Sequence, residues 1–331
     1  MSDFNLGRFA GTALLIAIAV MGVFIGGCAQ PQAQPERAVD LYVDAVALSE
    51  TGEKELAIEK LHTSVQKDSE FSLAYSLMGD IYLELEQYEK SADSYEHATA
   101  LNPWSFHDHF NLGRVYQVME QFAKAAQAYT RATELDPEHF ESHFYAAQSY
   151  HKIDDYDSAL EFGKRAEELD SEVAELHDLM GGLYQSREDY SDAINSYRRV
   201  LELRGNDPDI MMPLAVAYLR TNQPEAAKEI LQSVVEIEPD NGEAHQYLGY
   251  AQLQLRQNEA AVESYEYALD INSQDWQAHR GLGVAYMLLA LHNDNPTMQV
   301  QALEHWRKSL DINPEQPRAD RLTQLIRKYS R

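Results

Sequence analysis

The sequence predicts an all-α solenoid of eight stacked helical hairpins over residues 38–314, closed by a capping helix at 315–331. Three observations predict it. After residue 37 the chain repeats itself every 34 residues, the mark of helix–turn–helix units that bury their apolar faces only by stacking. With the frame begun at Ala38, the eighth position reads Ala45, Gly79, Gly113, Ala147, Gly181, Ala215, Gly249 and Gly283, small in every unit. The twentieth position reads Ala57, Ser91, Ala125, Ala159, Ala193, Ala227, Ala261 and, after a seven-residue insertion, Ala302.

Residues 1–27 read as an export signal. Residues 9–27, FAGTALLIAIAVMGVFIGG, carry no charge and follow Arg8, the layout of a signal-peptide apolar core behind a short charged region. The run ends in Ile25-Gly26-Gly27-Cys28, which resembles the bacterial lipobox. That resemblance implies cleavage before Cys28, the chain's one cysteine, and its lipidation as the membrane anchor. The alternative is an uncleaved inner-membrane signal anchor, because the apolar run is just long enough to span a hydrocarbon core of about 30 Å. In proteobacterial lipoproteins an aspartate after the cysteine retains the protein in the inner membrane. Ala29 stands there, so under that rule the destination is the outer membrane, facing the periplasm. Residues 28–37 then form the lipidated cysteine and a flexible Pro- and Gln-rich tether.

The eight units are 38–71, 72–105, 106–139, 140–173, 174–207, 208–241, 242–275 and 276–314, the last with an insertion near 291–297. Small residues at positions eight and twenty suit the close crossing of two antiparallel helices. The eleventh position carries Tyr82, Tyr116, Tyr150, Tyr184, Tyr218 and Tyr286, and these rings are expected to fill the gap beside the small residues. Pro103, Pro137, Pro239 and Pro314 close second helices. The insertion is expected to lengthen the hairpin loop of unit eight, with Asn295 as N-cap and Pro296 as first helical residue. In the last segment Ala319, Leu322, Leu325, Ile326 and Tyr329 share one helical face and Arg318, Arg321, Arg327 and Lys328 the other, as a terminal cap requires.

This pattern of a small residue, a Tyr three later, an Ala and a terminal Pro resembles the tetratricopeptide repeat family. The resemblance implies a right-handed superhelix whose inner wall is formed by the first helix of each unit. The chain departs from the family at position four, where Trp is common; His109, His143, His177, His245 and His279 stand there. Stacked helices lie about 8–10 Å apart, too far to bring these rings to one metal ion at about 2 Å. They read as packing residues, and no metal site is expected.

The inner-wall positions two, five, nine and twelve, with neighbours, give a peptide groove of Tyr42, Asp80, Phe110, Asn111, Arg114, Phe144, Gln148, His151, Asp178, Met212, Gln246, Tyr250 and Arg280. Aromatic and methionine anchors alternate with acids and amides, a mixture suited to an extended peptide. Asn111 and Arg114 share a helix as in the carboxylate-clamp members of the family, but neighbouring helices offer no matching lysines.

Charge and chemistry narrow the function. With 54 acidic against 27 basic side chains and a net charge of -27, nucleic acid is an unfavourable partner. Residues 1–37 sum to zero and 315–331 to +3, leaving -30 on the repeats and a preference for basic or apolar protein ligands. No nucleophile with its base, no phosphate-binding glycine loop and no HExxH occurs, so neither an enzyme, a cofactor nor a small-molecule substrate is expected. The sequence thus reads as an envelope-anchored scaffold or adaptor that binds proteins or peptides in its groove. An alternative is an assembly factor resembling in layout the type IV pilus pilotins; an enzyme or metal protein ranks behind both.

Overall fold

The computed structural model describes residues 36–330; the signal segment and Cys28 lie outside them. Among the described residues are 17 helices. They pair as α1 (Ala38–Glu50) with α2 (Lys54–Lys67), α3 (Ser72–Glu84) with α4 (Tyr88–Leu101), and α5 (Phe106–Val118) with α6 (Phe122–Leu135). The series continues as α7 (Phe140–Lys152) with α8 (Tyr156–Leu169), α9 (Ala174–Ser186) with α10 (Tyr190–Arg204), and α11 (Pro208–Arg220) with α12 (Pro224–Ile237). It ends with α13 (Gly242–Gln254) and α14 (Asn258–Ile271), α15 (Trp276–Asn293) and α16 (Pro296–Ile312), and a single last helix, α17 (Ala319–Tyr329).

Each helix packs chiefly on its neighbours in the chain. First helices also meet one another, α1 with α3, α3 with α5, α7 with α9, α11 with α13 and α13 with α15, more closely than second helices do. The stack therefore curves with its first helices on the inside.

The small positions explain the pairing. All eight residues at position twenty are fully buried, and the lone serine, Ser91, satisfies its hydroxyl by donating to the Gly79 carbonyl at 2.8 Å. At position eight the gap is filled by the residue at position twenty-four of the same hairpin, not by the tyrosine at position eleven. A Cβ on Gly79, Gly113, Gly181 or Gly249 would lie 2.7, 2.8, 2.5 or 3.0 Å from the ring of Tyr95, Tyr129, Tyr197 or Tyr265, and one on Gly283 would lie 2.4 Å from Trp306. Where position eight is Ala45 or Ala215, position twenty-four is the smaller Leu61 or Leu231; opposite Ala147 it is Gly163. Volume is conserved across the Gly–Tyr and Ala–Leu pairs, as close packing demands; at Gly163 the space is taken by Met180 of the next unit.

The tyrosines at position eleven instead reach into the preceding unit. Tyr82 Oη lies 3.2 Å from His62 Nε2, Tyr150 Oη 3.1 Å from Thr130 Oγ1, and Tyr286 donates to Glu266 at 2.6 Å; Tyr116 donates to Glu96. The position-four histidines tie units in a second way. Nε2–H of His143, His177, His245 and His279 donates to the carbonyl of Pro137, Ser171, Pro239 and Ser273, at 3.1, 2.9, 2.9 and 3.2 Å. Each bond joins position four of one unit to position thirty-two of the unit before, so imidazole packs at the seam and also satisfies a turn carbonyl.

Turns within hairpins are uniform. The residue at position fifteen is left-handed in the first seven units: Gly52, Glu86, Glu120, Asp154, Glu188, Asn222 and Arg256. That conformation ends a helix by letting the next amides return to its last carbonyls, as in Gln87 N–H to Tyr82 O at 2.8 Å.

The insertion in unit eight differs from expectation. It is taken up as helix, α15 running to Asn293 and α16 starting at Pro296, with only Asp294 and Asn295 between them. Apolar periodicity continues through Leu289 and Ala290, both buried, so helix is favoured over loop. Left-handed Asp294 ends α15, and Asn295 caps α16 by accepting from Thr297 and Met298 N–H. Against this longer hairpin α17 buries Leu322 and packs Leu325, Ile326 and Tyr329.

Candidate functional site

The first-helix face carries the candidate residues, and it divides into three stretches. Over units two and three they satisfy one another. Asp80 accepts from Tyr95 Oη at 2.5 Å and from His107 Nε2 at 2.8 Å; Asn111 Nδ2 donates toward His107 Nδ1 at 3.3 Å, and Arg114 donates to Asn111 Oδ1 at 3.1 Å. The Asp80 bond raises the His107 pKa above its ordinary value, partly offset by desolvation. Asn111 is buried, and this stretch presents the exposed Arg114 and His107 to solvent. Phe110 is half-buried in an aromatic cluster with Phe106, His139, Tyr129 and Tyr145. Tyr42, in unit one, is half-buried edge-on to Phe71 at 5.3 Å.

Phe144 does not belong to the groove. It is only 8% exposed and packs with Leu160, Leu176 and Met180 in the core between units four and five. Its ring packs against Phe140 and Tyr145, at 5.7 and 5.5 Å between centroids, so an apolar side chain at this position joins the core where the polar Asp178, Gln246 and Arg280 at the same position do not. Met212 is half-buried against the core of units six and seven.

Over units three to five an open cleft of about 470 Å³ collects Gln148, His151 and Asp178 with Glu175, Lys152 and Leu179. Gln148 accepts from Gln117 at 3.2 Å, and Gln117 in turn accepts from Tyr129 Oη at 2.8 Å. Burial raises the Asp178 pKa and lowers that of His151, whose Nδ1 is buried without a partner.

Over units six to eight a larger cleft of about 700 Å³ brings together Gln246, Tyr250 and Arg280. It also holds residues outside the inner-wall set, among them Arg220 and Leu288 at position thirteen, Tyr247 at position six and Trp276 at position one. One helical turn beyond position nine is position thirteen, so the i, i+4 spacing carried the signal. Arg280 lies over the Trp276 ring at 5.0 Å and donates to the Pro317 carbonyl at 3.3 Å. No cluster of three or more metal-ligating side chains occurs among the described residues, and no described helix is long and apolar enough to cross a membrane.

The imidazoles give a pH dependence. His109, His143, His151, His279 and His305 have pKa values lowered chiefly by burial. A base with a depressed folded pKa leaves stability intact above its ordinary value of 6.5 and erodes it as pH falls through the folded value. His107, raised, acts in the opposite sense. Melting temperature is therefore expected to fall between pH 7.5 and about 5.5, and His107→Gln is expected to steepen the fall. Thermal melts across that range check this; a flat or rising profile would contradict it.

Tetratricopeptide repeat models match residues 73–103, 110–174, 185–253 and 247–292. The crystal structure of YrrB, described as a TPR protein with an unusual peptide-binding site, is 24% identical, with a TM-score of 0.51 over 61% of this chain and 99% of that one. A tetratricopeptide repeat protein from Parabacteroides merdae is 15% identical, with a TM-score of 0.45 over 75% of this chain and 98% of that one. MamA from Desulfovibrio magneticus RS-1 is 22% identical, with a TM-score of 0.47 over 54% and 96%. No curated protein matches the chain. These likenesses are of fold. The repeat models, the 34-residue frame and the stacked hairpins lead to one conclusion: the chain belongs to the tetratricopeptide repeat family.

Proposed function

We propose that this protein is a scaffold of the bacterial envelope, anchored through a lipid on Cys28, which binds extended segments of other proteins along its first-helix face. The observation that carries the binding reading is the placement of two open clefts on that face, each crossing several units. Each offers a few apolar side chains beside amides and charged groups, the composition of a peptide groove and not of an enclosed reaction chamber. YrrB, with the same fold, is described as having a peptide-binding site, which supports the reading. The anchor reading rests on the lipobox-like Ile25-Gly26-Gly27-Cys28.

Two variants test the two halves. Cys28→Ala is expected to leave an unlipidated precursor; unchanged incorporation of labelled fatty acid would contradict the anchor. Tyr250→Ala combined with Asp178→Ala alters one residue of each cleft, neither in the buried core. Capture of proteins from envelope fractions is expected to drop while the helical signal stays, and undiminished capture would contradict the groove.

A further inference from the structure

We propose that the cleft across units six to eight is an anion-reading subsite, which takes a partner segment carrying an aromatic or aliphatic side chain flanked by carboxylates. This rests on the groove reading above and adds the ligand chemistry.

The lining is the observation. In a chain with twice as many acids as bases, this cleft holds two arginines, Arg220 and Arg280, and no Asp or Glu. Neither arginine has a carboxylate within 4.0 Å among the described residues, so both charges are available to a ligand. Glu243 and Asp275 line an adjoining depression that shares Gln246, Tyr247 and Gln277 with the cleft, so they flank the arginines without entering the cleft lining.

Arg280 is half-buried and its pKa is lowered by desolvation, so its charge is poorly solvated where it stands. Stacking on Trp276 fixes the guanidinium plane, and a single protein carbonyl, that of Pro317, occupies one of its donors. A planar fork held in this way is suited to a carboxylate, which accepts two parallel N–H bonds. Arg220, exposed on the other side of the cleft, adds a second positive charge.

Between the arginines the surface is apolar. Tyr250 is 45% and Leu288 42% exposed, and Val216 and Val284 complete the patch. Exposed apolar residues scattered singly carry no message, but these share one concavity. Gln246, Gln254 and Gln277 supply amides for the backbone of an extended segment, and Gln254 Oε1 is buried without a partner. The cleft over units three to five carries Glu175 and Asp178 against one lysine, Lys152, so the balance of charge differs between the two clefts. An acidic, apolar stretch is thereby directed to units six to eight, despite the strongly negative charge of the whole chain.

The test uses the purified full chain and a displayed heptapeptide library with a fixed central Phe and random flanks. Recovered peptides are expected to include a class enriched in Asp and Glu beside the Phe. The best of these, made synthetically, is expected to bind about tenfold or more weaker to Arg220→Gln and to Arg280→Gln, less so to Arg280→Lys, and to weaken as salt rises. Arg220 is exposed, so its variant reports on the charge without a folding defect. If no acidic class is recovered, or if the arginine variants bind it as well as the parent does, the subsite is overturned while groove binding stands. If the library yields no binder at all, both readings fail.

Discussion

Replacing Trp306 by alanine is expected to cost about 3–5 kcal/mol and to open the C-terminal end of the solenoid first. Trp306 is 3% exposed and sits in one cluster with Ala302, Leu303, Leu282 and Leu322, joining α15, α16 and α17. Its indole lies against Gly283, where a Cβ would come within 2.4 Å, so truncation leaves a void opposite a residue with no side chain to fill it. Stability in a stacked array adds along nearest neighbours, and a defect in the terminal hairpin therefore frays that end before it reaches the centre. Trp306 Nε1 has no hydrogen-bond partner, so Trp306→Phe removes bulk but no bond and is expected to cost well under half as much. Denaturant unfolding with hydrogen exchange checks both: protection should be lost across α15–α17 in the alanine variant alone. Protection lost evenly along the chain would contradict the account.

The second large effect concerns the pairing of positions eight and twenty-four. Gly181→Ala is expected to destabilise by about 1–3 kcal/mol, although alanine is the better helix former. The added methyl would stand 2.5 Å from the Tyr197 ring, which is 4% exposed and has nowhere to retreat. Tyr197→Leu alone leaves space over Gly181 and gives up the 3.2 Å bond from its hydroxyl to Gln185. Together the two substitutions recreate the Ala and Leu combination that units one and six already use, Ala45 with Leu61 and Ala215 with Leu231. The double variant is therefore expected to be more stable than the sum of the single losses by about 1 kcal/mol or more, the sign of direct contact in a double-mutant cycle. Strict additivity would show that the small residue and the ring are not matched.

Most of the fold was legible because the hairpin is written eight times. A fixed period at positions eight and twenty marks where helices cross, whatever the intervening residues. Partners across the hairpin were harder to read. Tyr at position eleven was an obvious candidate to fill the gap over glycine, yet its hydroxyl is needed by Thr130 or Glu266 of the preceding unit, and the ring follows the hydroxyl. The filling role belongs to position twenty-four, where Tyr, Trp, Leu and Gly alternate; that variety hides a position unless it is read together with position eight. The insertion in unit eight was read as loop because Asn293, Asp294, Asn295 and Pro296 are turn formers, but helix runs up to them and resumes at once.

The face was legible only in part. A helical wheel separates inside from outside, which placed Gln148, Asp178, Gln246, Tyr250 and Arg280 in clefts. It does not show which inner residues consume one another. Asp80, Asn111 and Arg114 are tied into a hydrogen-bonded chain with His107, and Phe144 is taken by the core. Net charge does not show local variation either, because the acid excess sums over the whole repeat body while the cleft of units six to eight is lined by arginines alone among charged groups.

Partners are expected along the first helices and not along the second. A photo-crosslinking amino acid placed in turn at Gln148, Asp178 and Tyr250 on that face, and at Glu229 and Glu263 on exposed second-helix positions, tests it most directly. The account predicts discrete adducts from the first-helix set in intact envelopes and none from the second-helix set. Adducts confined to positions 229 and 263 would contradict it.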